Sequence, residues 1–272
     1  MEHINKDIVS CYIGQDLGNH LFRIAATLDY AKKYNKVAIF QSDNDVVKNR
    51  WDELFCKKVD IINIIDMKPI KFEYFNELKH GDVYKEIPKF HNNLMLIGSF
   101  QSYKYISNKT RSKMRELVYS NEKYMYNAYD EYNKIKETFQ DDLDRNFVSI
   151  YVKKDSGLPN DYYTNAYKMI CELEQDKKHI VVFSDDIEWC KKNLKINNDQ
   201  YFASFDNKCI ELIVMSMFYN NILSNSTYGW WGAYLCNHNE KAVVVPEKWI
   251  SNGSVTGDIM LPEWKSVPTT VA

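Results

Sequence analysis

Short apolar runs alternate along the chain with longer segments whose apolar residues recur at helical spacing. Runs rich in Val, Ile and Phe predict strands, and the longer segments predict amphipathic helices. In the second half we predict strands over 147–152, 180–184, 221–224 and 242–245, and helices over 161–174, 187–192 and 207–218. Such alternation predicts parallel sheets with helices on both faces, so the sequence predicts an α/β protein.

The first half has the same alternation of predicted strands and helices, with weaker turn signals between them. Strands are predicted over 7–13, 36–40, 59–64 and 94–97, helices over 20–34 and 46–55, and mostly helical structure from 103 to about 140. A chain of 272 residues suits two α/β domains. We predict an N-terminal domain over 1–135 and a C-terminal domain over 136–272.

The stretch 219–235 reads as a buried strand, a polar turn and the start of a helix near Tyr228. Asn225, Ser226 and Thr227 supply the side chains that cap helix N-termini. The unpaired backbone N–H groups and the helix dipole at such a terminus can hold a phosphate without metal. Taken alone, the turn is better explained as an ordinary capped helix start, because capped helices are common and phosphate sites are rare.

Polar groups also follow two other predicted strands. Tyr151, Lys153 and Lys154 stand at the end of one strand, where paired cations suit a diphosphate, although a solvated loop has the same composition. Asp185 and Asp186 end the next strand and could bond a base, a ribose or a sugar, or cap the helix that follows. Because the carboxyl ends of parallel strands share one edge, convergence with the turn at 225–227 predicts a nucleotide-diphosphate pocket.

Composition limits the protein classes. The net charge of −2 and the 45% hydrophobic content exclude a disordered chain and a surface that coats nucleic acid. Six cysteines without CxxC spacing favour reduced thiols and a cytoplasmic location. No long apolar run or secretory signal is evident, so we expect no transmembrane segment, with peripheral membrane association left open.

Metal ligation has little support in the sequence. The histidines show neither HxH nor HExxH spacing. Asp43-Asn44-Asp45 matches the DxD pattern by which metal-dependent sugar transferases hold a cation and a diphosphate, but a turn explains the same three residues. We therefore expect no metal cofactor.

Four motifs together resemble the α-1,2-fucosyltransferases of glycosyltransferase family 11. Residues 17–22 with Ala25 are similar to the family's LGNQLFxYA, and 98–105 to its G-(Y/F)-(F/W)-Q-S-x-K-Y. Residues 184–190 are similar to SDDxxWC, and 225–235 to NSTFSWWGAYL. The family's donor motif HxRRGD falls on Tyr151-Val152-Lys153-Lys154-Asp155, where it is degenerate.

The resemblance implies two Rossmann-like domains in a GT-B-type arrangement. It implies a nucleotide sugar such as GDP-fucose on the C-terminal half, a glycan acceptor, and transfer with inversion and without metal. The residues implied on the acceptor side are Gly18, Asn19, His20, Gln101 and Ser102.

We also predict chemical roles for residues of this chain. Lys153 and Lys154 replace the two arginines of the donor motif, and Lys153 would stabilise the leaving diphosphate. Asp16 is our candidate for the base that accepts the hydroxyl proton, with Asp185 or Asp186 as alternatives. Because lysine lacks the bidentate fork of arginine, the donor could differ from GDP-fucose.

Two alternative functions are a metal-dependent DxD transferase and a non-catalytic carbohydrate-binding relative.

Overall fold

The computed structural model describes residues 6–14, 17–63, 70–77, 84–238, 240–249 and 258–269. The chain divides into two compact units. The first comprises Met1–Glu122 with Gly257–Ile259, and the second comprises Lys123–Thr256 with Met260–Ala272. Within the described ranges every helix is too short or too polar to cross a bilayer.

The N-terminal unit contains a parallel sheet of five strands in the order β3-β2-β1-β5-β4. Its elements are β1 (Ile8–Tyr12), α1 (Leu17–Tyr34), β2 (Val37–Ser42), α2 (Asp45–Leu54), β3 (Asp60–Asn63), β4 (Glu73–Asn76), β5 (Leu94–Ile97) and α3 (Asn108–Val118). The central strand β1 is mostly buried, and Leu21, Phe22 and Ala25 of α1 are fully buried. The predicted helix over 20–34 is present as α1.

The C-terminal unit contains a parallel sheet of six strands in the order β11-β10-β9-β6-β7-β8. Its elements are α4 (Glu122–Phe139), β6 (Phe147–Val152), α5 (Asn160–Glu174), β7 (His179–Ser184), α6 (Ile187–Asn193), β8 (Gln200–Phe202), α7 (Lys208–Met215), β9 (Asn220–Leu223), α8 (Thr227–Leu235), β10 (Val243–Pro246) and β11 (Lys265–Val267). The boundary expected from the sequence, between residues 135 and 136, falls inside α4.

Burial explains why the sequence predicts the central elements of this unit. Every residue of β6 is buried, as expected of a parallel strand covered on both faces. Helix α8 is buried along its whole length after Thr227, and Trp230 and Trp231 are fully buried. Its aromatic residues therefore form core, as the sequence predicts.

Candidate functional site

Strand β6 lies between β7 and β9, so three strand ends meet at one edge of the C-terminal sheet. Val152 pairs with Ser184 of β7, and Tyr151 pairs with Leu223 of β9. The segments that follow these strands start side by side: Lys153 after β6, Asp185 after β7 and the turn at 224–226 after β9. The predicted convergence of polar groups is present. We call this the carboxyl edge of the C-terminal sheet.

Ser224 joins two of these strand ends. Its hydroxyl oxygen accepts the backbone N–H of Lys153 at 3.0 Å, and its own N–H donates to the carbonyl of Tyr151 at 3.0 Å. Ser224 is fully buried, so both bonds are sheltered from water. The sequence predicts this serine only as the end of a strand and does not predict its role in joining the two strands. The available signal was a hydroxyl side chain at the point where a buried strand ends.

The two lysines of the edge differ in their surroundings. Lys154 Nζ lies 2.7 Å from Asp186 Oδ2, and its N–H donates to Asp185 Oδ1 at 3.0 Å. The Asp186 carboxylate also caps α6 by accepting the N–H of Trp189 at 2.8 Å. The bond to Lys154 lowers the pKa of Asp186, and the same bond raises the pKa of Lys154. Both carboxylates thus organise the edge around Lys154.

Lys153 is exposed. In the part of the chain that the structure describes, its ammonium has no carboxylate within ion-pair distance. Its backbone is fixed by the bond to Ser224, while its side chain remains available to an external anion. Of the two lysines, Lys153 is therefore the one whose positive charge has no acidic partner among the described residues.

Helix α8 begins at Thr227, one residue before the predicted start, and Ser226 is its N-cap. The Ser226 hydroxyl accepts the N–H of Gly229 at 3.3 Å. A single cap leaves other first-turn N–H groups without an intrahelical partner. The buried Oδ1 of Asn225 likewise finds no hydrogen-bond partner among the described residues. The first-turn N–H groups can therefore donate hydrogen bonds to an anionic ligand, and Asn225 Oδ1 can accept one from a ligand N–H or O–H group.

Ser226→Ala is expected to lower the free energy of unfolding by about 1 kcal/mol, because alanine cannot accept the N–H of Gly229. Urea denaturation monitored by tryptophan fluorescence measures the change. Ser112→Ala is the matched control, since that hydroxyl lies within a helix and donates to the Asn108 carbonyl of the same helix at 3.1 Å. Equal stability losses in the two variants would contradict the capping role.

Two departures from the family motifs contact each other. Tyr151 stands where HxRRGD has histidine, and Gly229 stands where NSTFSWWGAYL has serine. A Cβ atom on Gly229 would lie 2.9 Å from the Tyr151 ring. The ring is 6% exposed and packs edge-on against Tyr228, with centroids 5.5 Å apart. Gly229 therefore provides the space that the tyrosine occupies.

In the N-terminal unit the structure joins two predicted acceptor-side residues. Gln101 Nε2 donates to Asn19 Oδ1 at 2.8 Å, which links the turn after β5 to the first turn of α1. Ser102 is buried and accepts the N–H of Lys104 at 3.1 Å. Gly18 is buried as well.

His20, the other predicted residue of this group, is 6% exposed. Its Nε2 lies 3.3 Å from Nη1 of Arg23, a neighbour that sequence analysis did not single out. The candidate base Asp16 lies outside the described residues, so its role stays a prediction.

The DxD residues have local structural roles. Asp43 accepts the hydroxyl of Tyr12 at 2.6 Å, Asn44 caps α2, and Asp45 occupies the first turn of that helix. Across the described ranges no group of three or more His, Cys, Asp and Glu residues is placed to hold a metal ion.

Comparisons with known proteins agree with the motifs. The model of the family described as Glycosyl transferase family 11 matches residues 146–267. The O-antigen biosynthesis glycosyltransferase WbnK of Escherichia coli is 38% identical over 111 residues, which are 39% of this chain and 36% of that relative. The alpha-1,2-colitosyltransferase of Escherichia coli is 24% identical over 94% of this chain and 97% of that protein.

A solved structure also has a similar fold. NodZ alpha-1,6-fucosyltransferase from Bradyrhizobium, co-crystallized with GDP, aligns with a TM-score of 0.51 and 9% identity over 84% of this chain and 92% of its own. These matches confirm the resemblance stated from the motifs and the predicted GT-B fold class with two Rossmann-like domains.

Proposed function

We propose that this protein is an inverting, metal-independent glycosyltransferase, because residues 146–267 match the model of glycosyl transferase family 11. It transfers fucose or a related sugar from a nucleotide-diphosphate donor such as GDP-fucose to a glycan hydroxyl. The C-terminal unit binds the donor, and the N-terminal unit presents the acceptor.

The observation that carries this proposal is the carboxyl edge of the C-terminal sheet. An exposed ammonium without an acidic partner in the described chain, Lys153, and a capped helix N-terminus at Ser226 follow adjacent parallel strands. Ligands of open α/β sheets bind outside the carboxyl ends of the strands. A cation and unpaired N–H groups at one such edge suit the two phosphates of the donor.

The proposed reaction is one displacement. The acceptor oxygen bonds to the anomeric carbon, the bond from that carbon to the β-phosphate oxygen breaks, and the nucleoside diphosphate leaves with the electron pair. Lys153 and the N–H groups at the start of α8 stabilise the negative charge that develops on the leaving group. The acceptor proton passes to a base, for which Asp16 remains our candidate.

Three features support a purine diphosphate donor close to GDP-fucose. The C-terminal half matches the family 11 model, an alpha-1,2-colitosyltransferase is 24% identical to this chain, and NodZ alpha-1,6-fucosyltransferase was co-crystallized with GDP. Lysines in place of the arginine pair retain the charge but lose bidentate hydrogen bonding. The donor is thus held more by point charge and helix N–H groups than by paired guanidinium groups.

A thermal-shift screen across nucleoside diphosphates and nucleotide sugars tests the donor assignment. A ligand present at about 100 times its dissociation constant adds about 2.7 kcal/mol to folding stability. We expect GDP and GDP-fucose to raise Tm more than UDP, CMP or free fucose. If no nucleotide changes Tm, the proposal is wrong, and a non-catalytic carbohydrate-binding protein that consumes no nucleotide sugar becomes the better account.

The transfer rate is expected to be the same with and without EDTA, because Lys153 and backbone N–H groups supply the charge that a metal would otherwise supply. Release of GDP from GDP-fucose measures the rate. Loss of activity in EDTA that Mg²⁺ or Mn²⁺ restores, and that Asp45→Asn reproduces, would instead support the DxD mechanism.

We also propose a cytoplasmic location. It is supported by the cysteines, all six of which are unpaired, as expected in a reducing compartment. The proposed partners are a nucleotide sugar and a glycan acceptor. The proposed reaction involves neither nucleic acid nor a resident cofactor.

A further inference from the structure

The turn after β5 carries Gln101, which bonds to Asn19, and a buried carboxylate lies directly behind this turn. We propose that Glu77 is a positioning residue that holds the turn at 98–102 in the shape needed to present the acceptor. This inference rests on the proposed function and adds a residue of the acceptor side that no motif contains.

The contacts of Glu77 are short and sheltered. Its Oε2 accepts the backbone N–H groups of Ser99 at 2.8 Å and Phe100 at 2.6 Å. The residue is 7% exposed and follows β4 directly. A carboxylate that accepts two adjacent N–H groups forms charge-assisted bonds, about twice as strong as bonds between neutral groups. Glu77 thus ties the start of the turn to the neighbouring strand.

The turn that it holds has an unusual backbone. Phe100 adopts φ 52°, a left-handed conformation that costs energy in a bulky residue, and Gly98 adopts φ 154°. The Phe100 side chain is fully buried, with its ring 5.2 Å from that of Tyr105. Strained backbone of this kind persists only where surrounding contacts determine it. The two bonds from Glu77 are such contacts.

Gly98 lies so close to the Glu77 side chain that only a residue without a Cβ atom fits there. A Cβ atom on this glycine would lie 2.6 Å from both the Cβ and the Oε2 of Glu77, a separation that real Cβ atoms do not adopt. The strand end and the turn therefore approach too closely for any side chain at position 98. Without the carboxylate, the left-handed Phe100 would relax and Gln101 would lose its orientation toward Asn19.

Amide hydrogen exchange at single-residue resolution tests the structural part of this proposal. Glu77→Ala is expected to raise exchange at Ser99 and Phe100 by about tenfold or more, since both N–H groups lose their acceptor. Glu77→Gln, which keeps an acceptor oxygen, should fall between Glu77→Ala and wild type. Glu73→Ala, at the start of β4, is the matched control, because its exposed carboxylate accepts the side-chain Nδ2 of Asn92 at 3.3 Å.

Transfer kinetics test the functional part. The donor is GDP-fucose, and the acceptor is whichever galactoside, glucoside or N-acetylhexosaminide wild type uses fastest. Glu77→Ala is expected to lower kcat/KM for the acceptor by about 10- to 100-fold through misplacement of the turn. The dissociation constant for GDP should stay within about twofold of wild type, because GDP binds the other unit.

Four results separate the claims. Unchanged exchange at Ser99 and Phe100 in Glu77→Ala would overturn the structural part, and acceptor kinetics equal to those of Glu73→Ala would overturn the positioning role. Equal losses of acceptor kinetics and GDP affinity would also count against it, since they indicate general unfolding. A wild-type protein that transfers no sugar would instead contradict the proposed function.

Discussion

Lys153→Ala is expected to lower kcat by about 100-fold or more and to weaken GDP binding. Its ammonium lies at the carboxyl edge of the C-terminal sheet and has no acidic partner among the described residues. Removing one stabilising donor for a developing anion costs about 10²–10³ in rate. Steady-state release of GDP from GDP-fucose gives kcat, and calorimetric titration with GDP gives the affinity. Lys153→Arg should keep most activity, since it retains the charge and adds the fork of the family motif.

Lys154→Ala is the matched control at the neighbouring position. The ammonium of Lys154 pairs with Asp186 at 2.7 Å, so its charge is already balanced within the protein. We expect a rate loss of about tenfold or less, because an exposed ion pair contributes little. A Lys154→Ala variant as impaired as Lys153→Ala, or a Lys153→Ala variant with wild-type kcat, would contradict the distinction between the two lysines.

Gly229→Ala is expected to destabilise the protein by about 1–3 kcal/mol, the usual effect of overpacking a core. The same replacement in an exposed helix interior would stabilise by about 1 kcal/mol, because alanine is the better helix former. Here the new Cβ atom would lie 2.9 Å from the Tyr151 ring, and this clash makes the change in the free energy of unfolding unfavourable. Urea denaturation gives the free energy of unfolding.

A double-mutant cycle isolates this contact. Tyr151→Ala removes the ring that the new methyl group would strike but leaves the Cβ atom of residue 151 at 3.0 Å. Gly229→Ala should therefore cost clearly less in that background than in wild type. The difference between the two backgrounds is the coupling energy. A Gly229→Ala variant more stable than wild type would show that the Tyr151 ring moves aside without cost. It would contradict the claim that Gly229 is needed to make space for Tyr151.

The sequence predicted buried strands far better than exposed ones. The bounds of β5 and β6 match their predicted ranges, because both are continuous apolar runs. Three short strands, β4, β8 and β11, were missed, and each lies at the edge of its sheet. Edge strands are short and carry polar side chains, as in the sequence EYFN of β4, so they lack the periodicity that marks a core strand.

At the site, local patterns predicted which residues stand at strand ends but not how they pair. The positions of Lys153, Asp185 and Ser226 follow from the rule that parallel strands end at one edge. The bond between Lys154 and Asp186 joins residues 32 positions apart, and it made the two lysines unequal in a way that spacing alone could not predict. Glu77 was missed because its partners are backbone groups of a distant turn.

The central claim is that Lys153 and the N-terminus of α8 bind the same diphosphate. A crystal structure of the protein with GDP tests it most directly. We predict the β-phosphate within hydrogen-bond distance of Lys153 Nζ and of backbone N–H groups in the first turn of α8. GDP bound elsewhere, or bound with Lys153 turned away from its phosphates, would contradict the account.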